Sequence, residues 1–271
     1  MFSSEINRHY PYIIQMYFLS LRIVHGTFQK LYASIIVCFV AFWLGVFKKE
    51  SFHLIDEWYY NHAEKYTRKE YNEQGLLDWE ERVIARYFSK CEKLLVIGAG
   101  GGREVLALHK MGYKADGFEC NERLVRYANS FLEEEGIVSK VKFHPRDEYP
   151  YSTETYDGII LGWGTYMLIR GKERRIELLK NMRGHVRVSS PILLSFYCRS
   201  DRERRFKITV KIANLIRGML RRDFLDIGDY LHPNYVHYFT REEIASEMQV
   251  AGFQLDLYST KSYGHAVGIA L

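Results

Sequence analysis

Leu94 to Glu104 reads LLVIGAGGGRE, four apolar residues followed by glycine at four of the next five positions. That is the pattern of a buried strand ending in a tight loop whose bare backbone can approach a ligand closely. A nucleoside-phosphate loop needs GxxxxGK followed by Ser or Thr, and no Lys-Ser/Thr pair follows these glycines, so that chemistry is out. A dinucleotide loop, GxGxxG, would begin at Gly98 and Gly100, but its third position is Arg103, which disfavours NAD or FAD. What remains is a GxGxG run, Gly98-Ala99-Gly100-Gly101-Gly102. Elsewhere Cys38, Cys91, Cys120 and Cys198 stand far apart with no CxxC pair, which suggests neither a zinc site nor a disulfide framework.

The elements around the loop alternate. A strand at Leu94–Ile97 is followed by a helix at Arg103–Met111, a strand at Tyr113–Glu119 and a helix at Glu122–Glu135. Strands near Val141–Phe143, Tyr156–Leu161 and Ile192–Tyr197, with a helix at Lys172–Met182, continue the series. Strands separated by helices predict a parallel, doubly wound α/β sheet, and ligands of such sheets bind beyond the carboxyl ends of the strands, where the glycines lie. At 271 residues, 47% hydrophobic and 15% aromatic, the chain can bury one substantial core.

The glycine run resembles the signature of class I S-adenosylmethionine-dependent methyltransferases. The resemblance extends over residues 91–271 and implies S-adenosylmethionine as cofactor, held by Gly98, Ala99, Gly100 and Gly102. In that family an acid at the end of the second strand grips the ribose hydroxyls. Glu119, in GFECNERL, matches it, with Cys120 beside it. Asp147, in FHPRDEYPY, matches the acid that contacts the adenine amino group, and the backbone of Glu148 would meet the ring edge. Asp157 and then Gly162-Trp163-Gly164 match the fourth motif, so Gly162 and Trp163 are expected at the methionine end. HYFTREEIASEMQVAGFQLDLYS looks like the closing helix and hairpin, with Thr240 as N-cap and Glu243 completing a capping box. The implied fold is a Rossmann-like, seven-stranded sheet, parallel with an antiparallel C-terminal hairpin, preceded by N-terminal helices. One position departs: where the family often has an acid two residues before the first glycine, this chain has Val96.

A sulfonium carries an already activated methyl group, so the protein's task is to align a nucleophile and remove its proton where needed. A base belongs at the mouth of the sheet. His237 and His232, in LHPNYVHYFT, and Tyr166, in GWGTYMLI, are the candidates; the competing reading is that His237 buttresses the hairpin and Tyr166 walls the pocket.

Three further segments organise the chain. Residues 1–50 form a hydrophobic N-terminal helical segment in which Leu31 to Phe47 runs without a charge between Lys30 and Lys48. As a helix it would be about 25 Å long, slightly short of a hydrocarbon core of roughly 30 Å. It is read as a membrane span, an interfacial anchor, or a buried or dimer-forming helix. Tyr12 to Phe28, interrupted by Arg22 and His25, suits an interfacial helix. Lys48, Lys49, Lys65, Arg68 and Lys69 outnumber the cations before the run, which favours the cytoplasmic face of a membrane, a soluble cytoplasmic protein being the alternative. Residues 51–90 predict a helical cap, broken near Gly75, and residues 199–238 an insertion that shapes the acceptor side. Within it, Arg199 to Arg222 holds nine cations against two anions. A basic amphipathic helix over 202–222, with Ile208, Ile212, Leu215 and Met219 on one face, would suit an anionic lipid surface or acceptor. The net charge of +5 is too small to imply nucleic acid, and no nucleic-acid module accompanies it.

Together these features predict methyl transfer from S-adenosylmethionine to a small or lipid-linked acceptor, at oxygen in preference to nitrogen or carbon. The rival reading is a non-catalytic membrane-associated scaffold that keeps the fold, and Val96 is the feature that favours it.

Overall fold

The computed structural model describes residues 31–138, 140–146, 154–200 and 204–271. Five parallel strands make the frame: β1 (Lys93–Ile97), β2 (Lys114–Glu119), β3 (Val141–Phe143), β4 (Gly158–Leu161) and β5 (Pro191–Cys198), in spatial order β3-β2-β1-β4-β5. Every residue of β4 is buried, as are Leu94, Leu95 and Val96 of β1, because helices cover both faces of the sheet. Helices α4 (Asp78–Tyr87), α5 (Arg103–Lys110) and α6 (Glu122–Glu134) bury Trp79, Ile84, Leu108 and Phe131 on one face. Helices α7 (Lys172–Arg183), α8 (Arg204–Met219) and α9 (Arg241–Val250) bury Leu179, Phe206 and Ile244 on the other.

On the edge away from β4, the eight residues of β5 serve two partners. Its first six pair antiparallel with β9 (Gly264–Ala270), which closes a hairpin with β8 (Phe253–Ser259). Its last two, Tyr197 and Cys198, pair in parallel with β7 (Tyr235–Phe239), whose own hairpin partner is β6 (Asp229–Leu231). The expected seven strands are therefore present, and the insertion adds two more to give nine. At the start of α9, Thr240 Oγ1 accepts from Glu243 N–H and the Glu243 carboxylate accepts from Thr240 N–H, the reciprocal cap expected from the sequence.

Upstream of the sheet lie α1 (Leu31–Val46), α2 (Lys49–His62), a 3₁₀ turn (Glu64–Thr67) and α3 (Lys69–Glu73). The cap is thus more broken than two helices. Among the described residues no single helix is long and apolar enough to cross a membrane, and α1 and α2 meet at a bend of 117°. Val40, Ala41 and Leu44 of α1 are buried, while Leu31, Ile35, Phe39 and Phe42 are exposed. The transmembrane reading of 31–47 gives way to a helix with one apolar side against the domain and one facing out. The Tyr12–Phe28 expectation lies outside the described residues.

The basic helix carries a second apolar face that the sequence reading did not name. Phe206, Val210, Ala213 and Arg217 form its buried stripe, so Ile208, Leu215 and Met219 point away from the domain. Helix α8 is apolar on two sides, one packed on the domain and the other, the face read from the sequence, turned outward. Residues 202 and 203 of the expected range lie outside the described residues. Buried Arg217 donates to Leu44 O and Phe47 O at 2.9 Å each, and Arg222 donates to Gly45 O and Val46 O. Two guanidinium groups so satisfy the free carbonyls at the carboxyl end of α1.

Candidate functional site

The loop after β1 is shaped by its glycines. Gly98, Gly100 and Gly102 have φ of 74°, 55° and 98°, left-handed values that cost other residues about 1 kcal/mol each. Gly98 N–H and Ala99 N–H both donate to Phe118 O, at 2.8 and 3.0 Å, which folds the loop over the end of β2. There the Glu119 carboxylate accepts from Gly100 N–H (2.9 Å), Cys120 N–H (2.8 Å) and Asn121 N–H (2.9 Å). A carboxylate offers roughly four acceptor positions, so one is left for a ligand hydroxyl. A side chain at Gly100 would meet no atom within 4 Å, which marks the open side of the loop.

The cap lies on the other side. A Cβ at Gly101 would collide with Tyr66 O and the Asn72 amide. Asn72 Nδ2 donates to Tyr66 O (3.1 Å) and Arg68 O (2.8 Å), whereas its Oδ1 is buried without a partner. Asn121, the N-cap of α6, donates to Asn61 Oδ1 (2.9 Å), and Arg123 donates to Tyr60 O and Thr67 Oγ1, fastening α2 and the turn across the β2 end.

Arg103, which replaces the third dinucleotide glycine, is 2% exposed. Its guanidinium donates to both Glu80 oxygens (2.7 and 2.9 Å), to Glu104 Oε1 (2.5 Å) and to Gly75 O (2.8 Å). Burial, with help from Glu104, lifts the Glu80 carboxyl above its ordinary range against the pull of Arg103. Glu104 Oε1 also accepts from Trp163 N–H at 3.2 Å. Val96 is wholly buried in the core, and Glu104 instead brings a carboxylate to this corner.

The third wall comes from the end of β4. Gly162 N–H donates to Ile97 O (2.7 Å), and a Cβ at Gly162 would overlap Gly98 O. The Trp163 indole Nε1 is buried without a partner. The rings of Trp163, Tyr66 and Tyr71 surround Lys65 Nζ, and Tyr263 sits 5.4 Å from the Trp163 ring. Burial pushes the Tyr71 phenol up to about 12 and raises that of Tyr66 as well, so both keep their protons at neutral pH. A spare acceptor on Glu119, an open face at Gly100, and orphaned polar atoms on Asn72 and Trp163 together fit a ligand with ribose hydroxyls and further polar groups.

The expected cofactor residues Gly98, Ala99, Gly100, Gly102, Glu119, Cys120, Gly162 and Trp163 are therefore brought together. Asp147 and Glu148 lie outside the described residues. Their neighbour Arg146 pairs with buried Asp56 of α2 at 2.9 Å, and both line a cavity of about 260 Å³ with Phe52, Arg170 and Tyr235. Asp157 stands at the opposite end of the sheet, where it accepts from Glu92 and Lys93 N–H at 3.0 and 2.9 Å.

The expected bases fall elsewhere. Tyr166 is 0% exposed and donates to Glu247 Oε2 at 2.5 Å, while Glu247 is gripped by Arg175 (Nη2 to Oε1, 2.7 Å). His237, also 0% exposed, has Nδ1 2.6 Å from Asp229 Oδ1, which accepts from Tyr235 Oη at 2.7 Å. Its Nε2 lies 3.9 Å from Glu243, too far for a hydrogen bond. Burial opposes the imidazolium most strongly, but the Asp229 and Glu243 carboxylates together outweigh it and raise the His237 value. Neither side chain reaches solvent. His232 is exposed, its ring 6.4 Å from that of Tyr197.

Lys65, Asn72 and Glu80 were not anticipated. A cation opening a helix beneath a glycine loop needs a carboxylate once buried, and that was the available signal for Glu80.

A family model described as tellurite resistance protein TehB matches residues 59–198. A human lysine N-methyltransferase of ATP synthase is 29% identical over 97 residues, which are 36% of this chain and 41% of that protein. The chain therefore spans under half the length of this curated relative. Among solved structures, a methyltransferase of Methanosarcina mazei superposes with a TM-score of 0.59 at 16% identity, covering 73% of this chain and 99% of its own. Magnesium protoporphyrin IX methyltransferase from Synechocystis, solved with S-adenosylmethionine, gives 0.53 at 13% identity, covering 80% of this chain and 96% of its own. At these identities the two structures speak to the fold.

Proposed function

Because the chain belongs to the family described as tellurite resistance protein TehB, and with it to the class I S-adenosylmethionine-dependent methyltransferases, we propose that it methylates an amine nitrogen of a small or lipid-linked acceptor at a membrane surface. The observation that carries the cofactor assignment is the Glu119 carboxylate, with one acceptor position spare beside the open face of Gly100. Bound there, S-adenosylmethionine supplies a methyl group on a positively charged sulfur. Glu119 would accept from a ribose hydroxyl, and the glycines keep the backbone clear of the ligand. The adenine end falls to Asp147 and Glu148, the residues to which the family resemblance assigns it. Glu104, Trp163 and the orphaned Asn72 Oδ1 serve the amino-acid end, in place of the acid missing at Val96.

Nitrogen is preferred to the oxygen anticipated from the sequence because an alcohol needs a base in the site. Tyr166 and His237 are sealed, and Tyr66 and Tyr71 hold their protons. A neutral amine brings its own lone pair. The likeness to a lysine N-methyltransferase supports this choice. A second reading, an oxygen acceptor with His232 as base, rests on the exposure of that imidazole beside Tyr197. The exposed side of α1 and the outward stripe of α8, which carries exposed Lys207 and Lys211, together suit an anionic lipid surface.

The test is incubation with methyl-labelled S-adenosylmethionine and separate lipid, saccharide, protein and RNA fractions. Label in an amine-bearing lipid, protein or small molecule supports the proposal; label in alcohols alone supports the second reading. Cofactor binding with no transfer to any fraction supports the scaffold. Flotation with phosphatidylglycerol vesicles tests the surface: Phe39→Glu should weaken binding, and equal flotation of the variant would contradict it.

A further inference from the structure

Lys65 lies in the turn whose Tyr66 carbonyl presses on Gly101, so its position is tied to the glycine loop. Its Nζ sits 4.9 Å from the centroid of Tyr66, 5.3 Å from Tyr71 and 4.8 Å from Trp163. The third ring belongs to the residue that follows Gly162 and bonds to Glu104, at the methionine end of the proposed cofactor site. No described carboxylate forms a salt bridge with Lys65, since the nearby Glu80 and Glu104 are engaged by Arg103. Among the described residues three ring faces border this solvent-exposed ammonium, an arrangement that suits alkylated cations well. Desolvation, aided by the charge of Arg103, lowers the Lys65 value below that of an ordinary lysine and enlarges its neutral fraction.

We infer that Lys65 is itself a methyl acceptor, modified by its own chain at Nζ. The inference rests on the cofactor site proposed for the glycine loop. The Nζ lone pair forms the new N–C bond as the C–S bond of the sulfonium breaks. The bonding pair leaves on sulfur as a neutral thioether, and one Nζ proton passes to water. The product ammonium keeps its charge and gains a methyl group against the three rings.

The full chain is incubated with methyl-labelled S-adenosylmethionine, cofactor binding is read by calorimetry on the same sample, and each lysine is followed by peptide mass spectrometry. Label should enter Lys65 at least ten-fold faster than any other lysine, at a rate independent of protein concentration. Tyr71→Ala should slow it about ten-fold, and Lys65→Arg should abolish it at this position without redirecting it. Without cofactor, limiting acetic anhydride at pH 8 should acylate Lys65 faster than exposed Lys261. A chain that binds cofactor but leaves Lys65 unlabelled, labels its lysines evenly, or acylates Lys65 no faster than Lys261 overturns this inference alone. A chain that binds no cofactor overturns the glycine-loop reading and this inference together.

Discussion

Around the glycine loop, Glu119, Asn72 and Trp163 each make structural bonds and still leave a polar valence unused. In the corner where the β6–β7 hairpin meets α7 and α9, Tyr166, Glu247, Arg175, Asp229, Tyr235 and His237 are consumed by one another, with His237 Nε2 alone lacking a hydrogen bond. The second region holds the residue types most often associated with proton transfer, yet it is closed to solvent. The first holds a buried amide, a buried indole N–H and a carboxylate around a loop that is open at Gly100. Unused valence beside an open surface marks the site more reliably than residue type.

If the corner is structural, Arg175→Met should strand the Glu247 charge and cost about 3–5 kcal/mol of stability in urea unfolding. Its cofactor dissociation constant should stay within about two-fold. A ten-fold weaker affinity would show that the two regions are coupled. If the loop is the site, Gly162→Ala, whose methyl overlaps Gly98 O, should weaken cofactor binding by at least about 100-fold, close to 2.7 kcal/mol. Glu119→Gln keeps the shape but turns an acceptor into a donor facing backbone N–H groups. It should weaken binding about ten-fold and cost about 1–3 kcal/mol of stability.

The smallest effect is a pH slope. His237 is raised above its ordinary 6.5, so its stabilising contribution is complete below 6.5 and is lost as pH rises through the folded value. Asp229 is depressed and contributes above its ordinary 3.8, losing that contribution as pH falls through its folded value. Asp229, Glu243 and Arg175 are the charged groups that face the imidazole. Thermal melts from pH 6 to 9 should show the parent losing stability relative to His237→Asn as pH rises. Parallel curves would exclude the charged pair.

The centre of the frame was legible because β1, β4 and β5 are buried on both faces and read as apolar runs. Strand β3 was predicted to the residue and β1 to within one. The capping box at Thr240 was legible because both partners are local. The buried face of α8 was not, since Phe206, Val210 and Ala213 share their period with Ile208, Leu215 and Met219, the outward face read from the sequence. Glu80 and Arg103 lie 23 residues apart and meet only through tertiary packing. The same holds for Lys65 and Trp163, and for the burial that removes Tyr166 and His237 from the acceptor side.

Titration calorimetry of the full chain and its Gly100→Arg variant with S-adenosylmethionine tests the central claim most directly. The account predicts saturable one-site binding to the parent and its loss in the variant, which should still melt within about 4 °C of the parent because the added Cβ meets no atom and the left-handed φ costs only about 1 kcal/mol. Equal affinity in the two proteins, or no binding to the parent at millimolar cofactor, would contradict it.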